Sequence, residues 1–117
     1  MNNTGSVGGS TLDLAFSYIE SDSGTNPTDK TADETAAMIE VNTLQYDGND
    51  LLSSVSDGNL NSYKDIQDLQ NTDLSGQSGI DALANKSFQI AVILRANTGS
   101  EFQADGITIT MTFTLNQ

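Results

Sequence analysis

The final strand-like segment of the chain constrains its fold more than any other feature. Residues 107–115 read ITITMTFTL, so large apolar side chains alternate strictly with four threonines. Successive side chains of a β-strand point to opposite faces, and this period of two places one apolar face against a core. The threonine face is β-branched, which suits a strand that faces water or another chain. The segment therefore predicts a β-sheet protein.

Three further segments carry strand patterns. Residues 11–19 alternate in the same way, and residues 38–46 hold a second set of apolar positions. Residues 87–95 are the most apolar stretch, which predicts a central strand. The alternating positions together predict a core made of Leu12, Leu14, Phe16, Ile39, Val41, Phe88, Ile90, Val92, Leu94, Ile109, Met111 and Phe113.

The connections between these strands are polar and rich in turn residues. Residues 20–36 hold almost no apolar side chain and predict a long exposed loop, with a helical turn around residues 32–37. Residues 47–50 (DGND) predict a tight turn, because Asp-Gly and Asn-Asp pairs adopt turn conformations readily. The sequence YKDIQDLQ predicts one short helix near residues 63–70.

The length of 117 residues fits one domain. Residues 1–10 are rich in Gly, Ser and Asn and predict a flexible N-terminal arm, and residues 11–117 predict a single β-sandwich domain. A sandwich normally needs about seven or eight strands. Because four strong strands leave open sheet edges, the count indicates either strands with weak patterns or a strand supplied by another molecule. We expect an all-β, jelly-roll-like antiparallel sandwich.

The charge balance excludes several classes of partner. Sixteen acidic and four basic residues give a net charge of -12, and nucleic acids and anionic membranes bind Lys and Arg instead. No apolar run approaches the about 18 residues of a membrane helix, which predicts no membrane insertion. The acidic composition leaves two interpretations open, a highly soluble surface or cations that belong to the working structure.

The residue types in the chain give little support for catalysis. The chain has no His and no Cys, which excludes Ser–His–Asp and Cys–His machinery and His-ligated zinc. Two carboxylates could hydrolyse a glycoside, but among sixteen acidic residues some pair has a suitable separation by chance. No phosphate-binding glycine loop lies next to a lysine. We expect a protein that is not an enzyme.

One segment carries the ligand spacing of a calcium loop. Residues 57–68 place oxygen-bearing side chains at positions 1, 3, 5, 9 and 12, as in an EF-hand-type loop, although Ser replaces Gly at position 6. The alternative is a solvated loop in which Ser62-x-x-Asp65 forms a capping box at a helix start. The predicted calcium ligands are Asp57, Asn59, Asn61, the Tyr63 carbonyl, Asp65 and Asp68.

Two Asn-x-Ser/Thr sequons occur, at Asn2 and Asn85. Such sequons arise often by chance, so glycosylation and any surface glycan partner stay open questions.

The C-terminal tract at residues 98–117 reads TGSEFQADGITITMTFTLNQ, and residues 9–14 read GSTLDL. The first tract resembles the ending of archaeal members of the TasA/camelysin family, and the second resembles their early strand. The block at residues 39–69 is also similar. The resemblance covers most of the chain, and its C-terminal tract is the most specific part.

The resemblance implies a jelly-roll domain, secretion, and assembly into extracellular fibres in which the N-terminal segment of one subunit completes the sheet of the next. The metallopeptidase label used for this family does not carry over, because the chain has no His. We therefore expect a homopolymeric, extracellular or cell-surface subunit of a filament, matrix fibre or sheath, assembled by strand complementation and stabilised by calcium. The alternative is a monomeric calcium-dependent adhesion or binding module.

Overall fold

The chain folds as two antiparallel three-stranded sheets packed face to face. The structure is a computed structural model that describes residues 1–21, 30–95 and 106–117. Its elements are β1 (Thr11–Glu20), α1 (Ala32–Ala36), β2 (Ile39–Tyr46), β3 (Asn49–Asp50), a 3₁₀ turn (Leu52–Ser54), α2 (Ile66–Gln70), β4 (Leu74–Ser78), β5 (Phe88–Leu94) and β6 (Ile107–Asn116). The strand orders are β4-β1-β6 and β3-β2-β5. The predicted all-β antiparallel sandwich is confirmed, and α2 lies within the predicted short helix at residues 63–70.

The two segments with the strictest alternation form the longest pairing in the fold. β1 and β6 run antiparallel in register from Thr11 opposite Asn116 to Glu20 opposite Ile107. Both strands turn their apolar faces toward the second sheet, where Leu12, Leu14 and Phe16 are buried. The alternation therefore fixes the register, because a slip of one residue would expose the whole apolar face.

The core lies between the sheets and is closed at one end by α2. Leu44 on β2 is completely buried, and Ile66 and Leu69 of α2 pack into the same cluster. Leu51 and Val55, which follow the turn at residues 47–50, are also buried.

The predicted turn at residues 47–50 is a two-residue hairpin. Asp47 and Gly48 have positive φ angles of 52° and 77°, and Tyr46 pairs with Asn49 across the turn. Positive φ at both central positions matches the twist of a hairpin and explains the Asp-Gly pair. Residues 22–29 of the predicted loop lie outside the described residues, whereas α1 forms where the helical turn was predicted.

Two strands have no strong signal in the sequence. β4 reads LSGQS and contains a single large apolar residue, Leu74, and its Gly76 has a positive φ of 74°. β3 is only two residues long. Neither segment alternates between apolar and polar residues, so periodicity could not reveal it.

The prediction of a central strand at residues 87–95 is wrong, because β5 lies at the edge of its sheet. Part of the predicted core is wrong for the same reason. The exposed fractions are 48% for Val92, 58% for Leu94, 42% for Met111 and 36% for Phe113. These side chains belong to two edge strands, β5 and β6, and no described strand covers them.

Candidate functional site

Among the described strands, none closes the sandwich along the side where β5 and β6 lie. Alternate residues of these strands, such as Phe88, Ile90 and Ile109, pack on the core but stay partly exposed. The rings of Phe88 and Phe113 meet edge to face, with centroids 5.0 Å apart, and join the two sheets at one end. We call this flank, formed by Phe88–Leu94 and Ile107–Asn116, the open side.

The open side differs from the opposite flank in ways that matter for association. The opposite edges are formed by β3, with two residues, and by β4, with five residues and a glycine of positive φ. β5 and β6 have seven and ten residues, and neither contains a charged residue. Short or irregular strands and edge charges prevent unwanted strand pairing. The open side lacks these protections, in a chain whose net charge is -12.

The backbone of β5 alternates between β2 and the open edge. The Asp47 N–H donates to the Ser87 carbonyl at 2.8 Å, and the Arg95 N–H donates to the Met38 carbonyl at 2.9 Å. Odd-numbered residues therefore direct their backbone groups toward β2. Because these groups alternate along a strand, the N–H and C=O groups of the even-numbered residues of β5 face the open edge.

The first three residues occupy the continuation of that edge. Met1 and Lys86 exchange two backbone hydrogen bonds, of 2.7 and 2.9 Å, and the Asn3 N–H donates to the Ala84 carbonyl at 2.9 Å. This short antiparallel pairing stops immediately before β5 begins at Phe88. The sequence gives no strand signal at residues 1–3, so this pairing could not be predicted.

The rest of the predicted flexible arm also has defined neighbours. The Gly9 N–H donates to the Ile80 carbonyl at 2.9 Å. A Cβ atom on Gly79 would lie 1.8 Å from the Gly9 carbonyl oxygen, so the two backbones approach as closely as only glycine permits. Residues 1–10 thus contact the segment that precedes β5 in their own chain, and the flexibility of this arm stays a prediction.

The two sequons meet in this same region. Asn2 and Asn85 are antiparallel bridge partners, and both side chains are exposed. Their shared surface lies beside the start of β5.

The predicted calcium loop is held together by its own hydrogen bonds. The Asp57 carboxylate accepts from the backbone N–H groups of Asn61 and Ser62, at 3.1 and 2.8 Å. The Asp68 carboxylate accepts from the N–H groups of Gly58 and Asp65, at 2.9 and 3.1 Å. These bonds fold the loop over the start of α2.

A capping box starts α2, three residues later than the sequence predicted. Asp65 is the N-cap and accepts from the Asp68 N–H at 3.0 Å, while Asp68 bonds the backbone of Asp65 in return. The predicted box at Ser62 and Asp65 is therefore wrong. Ser62 has a positive φ of 71°, which belongs to a turn and not to an N-cap.

Three of the predicted calcium ligands are in contact, but Asn59 and Asn61 direct their side-chain N–H₂ groups, and not their amide oxygens, toward Asp65. The side-chain amides of Asn59 and Asn61 both donate to Oδ2 of Asp65, at 3.1 and 2.8 Å. The Asn61 Oδ1 atom is occupied by the Tyr63 N–H at 2.9 Å. The Tyr63 ring lies under the Arg95 guanidinium, 4.1 Å from its centre.

The residues present fit a calcium ion poorly in this arrangement. Within the described residues, no three acidic side chains form a group that could hold a metal. A cation at Asp65 would require both Asn59 and Asn61 to turn their oxygens inward, which would break the bonds that their amides make now. Burial and the nearby Asp65 and Asp57 carboxylates nevertheless raise the pKa of Asp68, so the loop carries unfavourable negative charge that a cation would relieve. Calcium binding stays a prediction.

Replacement of Asp57 by Ala tests the metal prediction. If calcium binds the loop, the variant should lose several degrees of melting temperature relative to the wild type in calcium, and much less in a chelator, because the ion stabilises only the folded state. Differential scanning calorimetry in both buffers measures this contrast. Equal losses in the two buffers would show that Asp57 acts through its bonds to the Asn61 and Ser62 N–H groups instead.

No helix in the described part of the chain is long and apolar enough to cross a bilayer. Comparison of the chain with protein families, with curated proteins and with solved structures finds no match.

Proposed function

We propose that this protein is a structural, non-enzymatic subunit of an extracellular filament, matrix fibre or cell-surface sheath, built as a homopolymer by strand complementation. The open side is the observation that supports this proposal. It combines two long uncharged sheet edges with apolar side chains that a packed sandwich would bury.

An added strand would supply both backbone hydrogen-bond partners and cover for the exposed apolar side chains of the open side. Its backbone would pair with the edge groups of β5 or β6 that no described strand pairs, and its side chains would cover Val92, Leu94, Met111 and Phe113. Strand addition at a sheet edge is a general mode of recognition, in which the main chain supplies affinity and alternate side chains supply specificity. The family resemblance supports the extracellular location, and the chemistry of the sheet edges supports the structural role.

The net charge of the subunit determines the ionic conditions under which subunits would associate. Two bodies of net charge -12 repel one another, and the repulsion is weakest where the touching surfaces carry no charge. The open side is such a surface. Salt, or calcium bound to acidic faces, would therefore promote assembly by screening the remaining charge.

The alternative is a monomeric calcium-dependent adhesion or binding module. The raised pKa of Asp68, which burial and the nearby carboxylates of Asp65 and Asp57 cause, favours this candidate. It predicts that calcium binds and that particles remain dispersed at every ionic strength.

Negative-stain microscopy of the purified chain separates the two candidates. We expect fibres in high salt or calcium and dispersed particles at low ionic strength. Dispersed particles under all of these conditions, together with a measurable heat of calcium binding, would instead support the binding module.

Deletion of residues 1–9 tests whether the N-terminal arm is the donor strand. If the arm of one subunit completes the sheet of the next, the deletion variant should stay monomeric in conditions where the intact chain polymerises. Analytical ultracentrifugation provides the measurement, with circular dichroism to show that the β-sandwich has folded. Fibres of normal length from the deletion variant would exclude the arm as donor and leave direct pairing of edges.

A further inference from the structure

The edge of β5 that faces away from β2 offers four backbone positions for pairing. Phe88, Ile90, Val92 and Leu94 direct their N–H and C=O groups away from β2, as the bonds of Ser87 and Arg95 require. Among the described strands, none pairs with this edge. The edge is bounded at its first residue, because Met1 already occupies the backbone groups of Lys86. Any added strand therefore has about the length of β5 itself.

The sequence of β5 contains no charged residue, so it can meet an identical strand without repulsion between side chains. Two antiparallel copies pair all four positions in a single register, the one with its two-fold axis at Ala91. Phe88 then pairs with Leu94 of the second copy, and Ile90 pairs with Val92. Each of these is a hydrogen-bonded pair, because only even-numbered residues direct their groups outward.

The neighbouring symmetric registers leave positions unpaired. An axis at Ile90 sets Leu94 opposite Lys86 of the second copy, whose backbone groups are held by Met1. An axis at Val92 places Phe88 beyond the end of β5 in the second copy, so Phe88 has no partner in that strand. Only the axis at Ala91 uses the whole edge.

We infer that the β5 edge is a docking surface for a second copy of this chain, joined antiparallel about a two-fold axis at Ala91 into one six-stranded sheet. In this sheet, the strand order is β3-β2-β5 in one copy followed by β5-β2-β3 in the other. The contact places Phe88 beside the second copy's Leu94 on the face toward the core, where Leu94 is 58% exposed in the single chain. An isologous contact of this kind repeats each interaction twice.

This inference rests on the proposed function and names the partner surface for one of the contacts in the polymer. A two-fold contact alone closes a dimer, whereas a polymer needs a second contact on each subunit. The outer edge of β6, ten residues long and uncharged, pairs with no described strand and can supply that contact.

A cysteine substitution at Ala91 tests the register directly. The chain contains no Cys, so any disulfide must join the introduced residues. Ala91 is exposed and would face Ala91 of the second copy in a non-hydrogen-bonded pair. The two Cα atoms of such a pair lie about 4.5 Å apart, which is within the range that a disulfide spans. We expect Ala91→Cys to form a covalent dimer under mild oxidation, seen on a non-reducing gel.

Gln89→Cys is the matched control. Residue 89 would face Ile93 of the second copy, which places the two introduced sulfurs about four residues apart along the strand, roughly 13 Å. The single variant should therefore stay monomeric on the gel, whereas the double variant Gln89→Cys/Ile93→Cys should form the covalent dimer.

Three outcomes would overturn an element of this scheme. Fibres without an Ala91→Cys dimer would reject the β5 contact and leave the proposed function standing. Equal dimer yields from Ala91→Cys and Gln89→Cys would also reject the register, because they indicate random collision. An Ala91→Cys dimer that never yields fibres in salt or calcium would support the contact and reject the filament.

Discussion

Val92→Pro is expected to abolish the β5 contact and to reduce assembly strongly, while the subunit stays folded. The N–H group of Val92 faces the open edge, so the substitution removes a donor that an added strand needs and removes no bond to β2. Proline is tolerated on an edge strand when its nitrogen faces outward. Sedimentation velocity should show only small species, held by the second contact alone, at salt concentrations where the wild type forms polymers.

Two control substitutions separate the edge effect from damage to the fold. Val92→Thr keeps the N–H group and β-branching, so assembly should persist. Ile93→Pro removes a bond to β2 and should lower the melting temperature clearly, which Val92→Pro should not do to the same degree. Normal fibres from the Val92→Pro variant would show that the edge of β5 is not used.

Leu44→Ala is expected to destabilise the subunit by about 2–5 kcal/mol, because it leaves a cavity at a completely buried position between the sheets. Urea denaturation at low ionic strength, where subunits repel one another, measures the free energy of unfolding of the single chain. A loss of this size is a large part of the stability of a small domain.

Leu94→Ala is the informative comparison for Leu44→Ala. The sequence pattern predicts a core position for Leu94, but its side chain is 58% exposed in the structure. Its truncation should change the free energy of unfolding by less than about 1 kcal/mol under the same conditions. Equal losses for the two variants would mean that the open side is covered in solution.

The sequence predicted the parts of the fold that periodicity controls. The alternation at residues 107–115 and 11–19 fixed two strands that pair along their full length. The Asp47-Gly48 pair marked a hairpin because positive φ angles select those residues. The same reasoning could not find β4, whose pairing with β1 depends on its place in the fold and not on its own pattern.

Periodicity also could not separate central strands from edge strands. Residues 87–95 are apolar on both faces, a pattern that fits a strand buried by neighbours on both sides. The structure instead leaves Val92 and Ile93 about half exposed, one on each face. The absence of charge on this long strand of a very acidic protein fits both cases, so it does not separate them and bears only on the strand's partners.

The candidate metal loop shows a second limit of pattern reading. The spacing of oxygen atoms along residues 57–68 is the same whether they surround a cation or accept hydrogen bonds from one another. Asn59 and Asn61 supply either an oxygen or an N–H₂ group, and the loop uses the N–H₂ groups toward Asp65. Amide orientation depends on the three-dimensional network of donors, which the sequence does not specify.

The hydrogen bonds between Met1 and Lys86 determine where a peptide fused ahead of Met1 would lie. The nitrogen of Met1 lies 2.7 Å from the Lys86 carbonyl oxygen, and the chain there runs antiparallel to the segment that becomes β5. A residue placed before Met1 would stand opposite Ser87, and the next would reach the free groups of Phe88. Any extended fusion peptide would thus pair with β5 within its own molecule. It would compete with the second copy for the β5 edge. A tag attached after Gln117 lacks this path, so the end chosen for a tag would decide whether purified subunits can join.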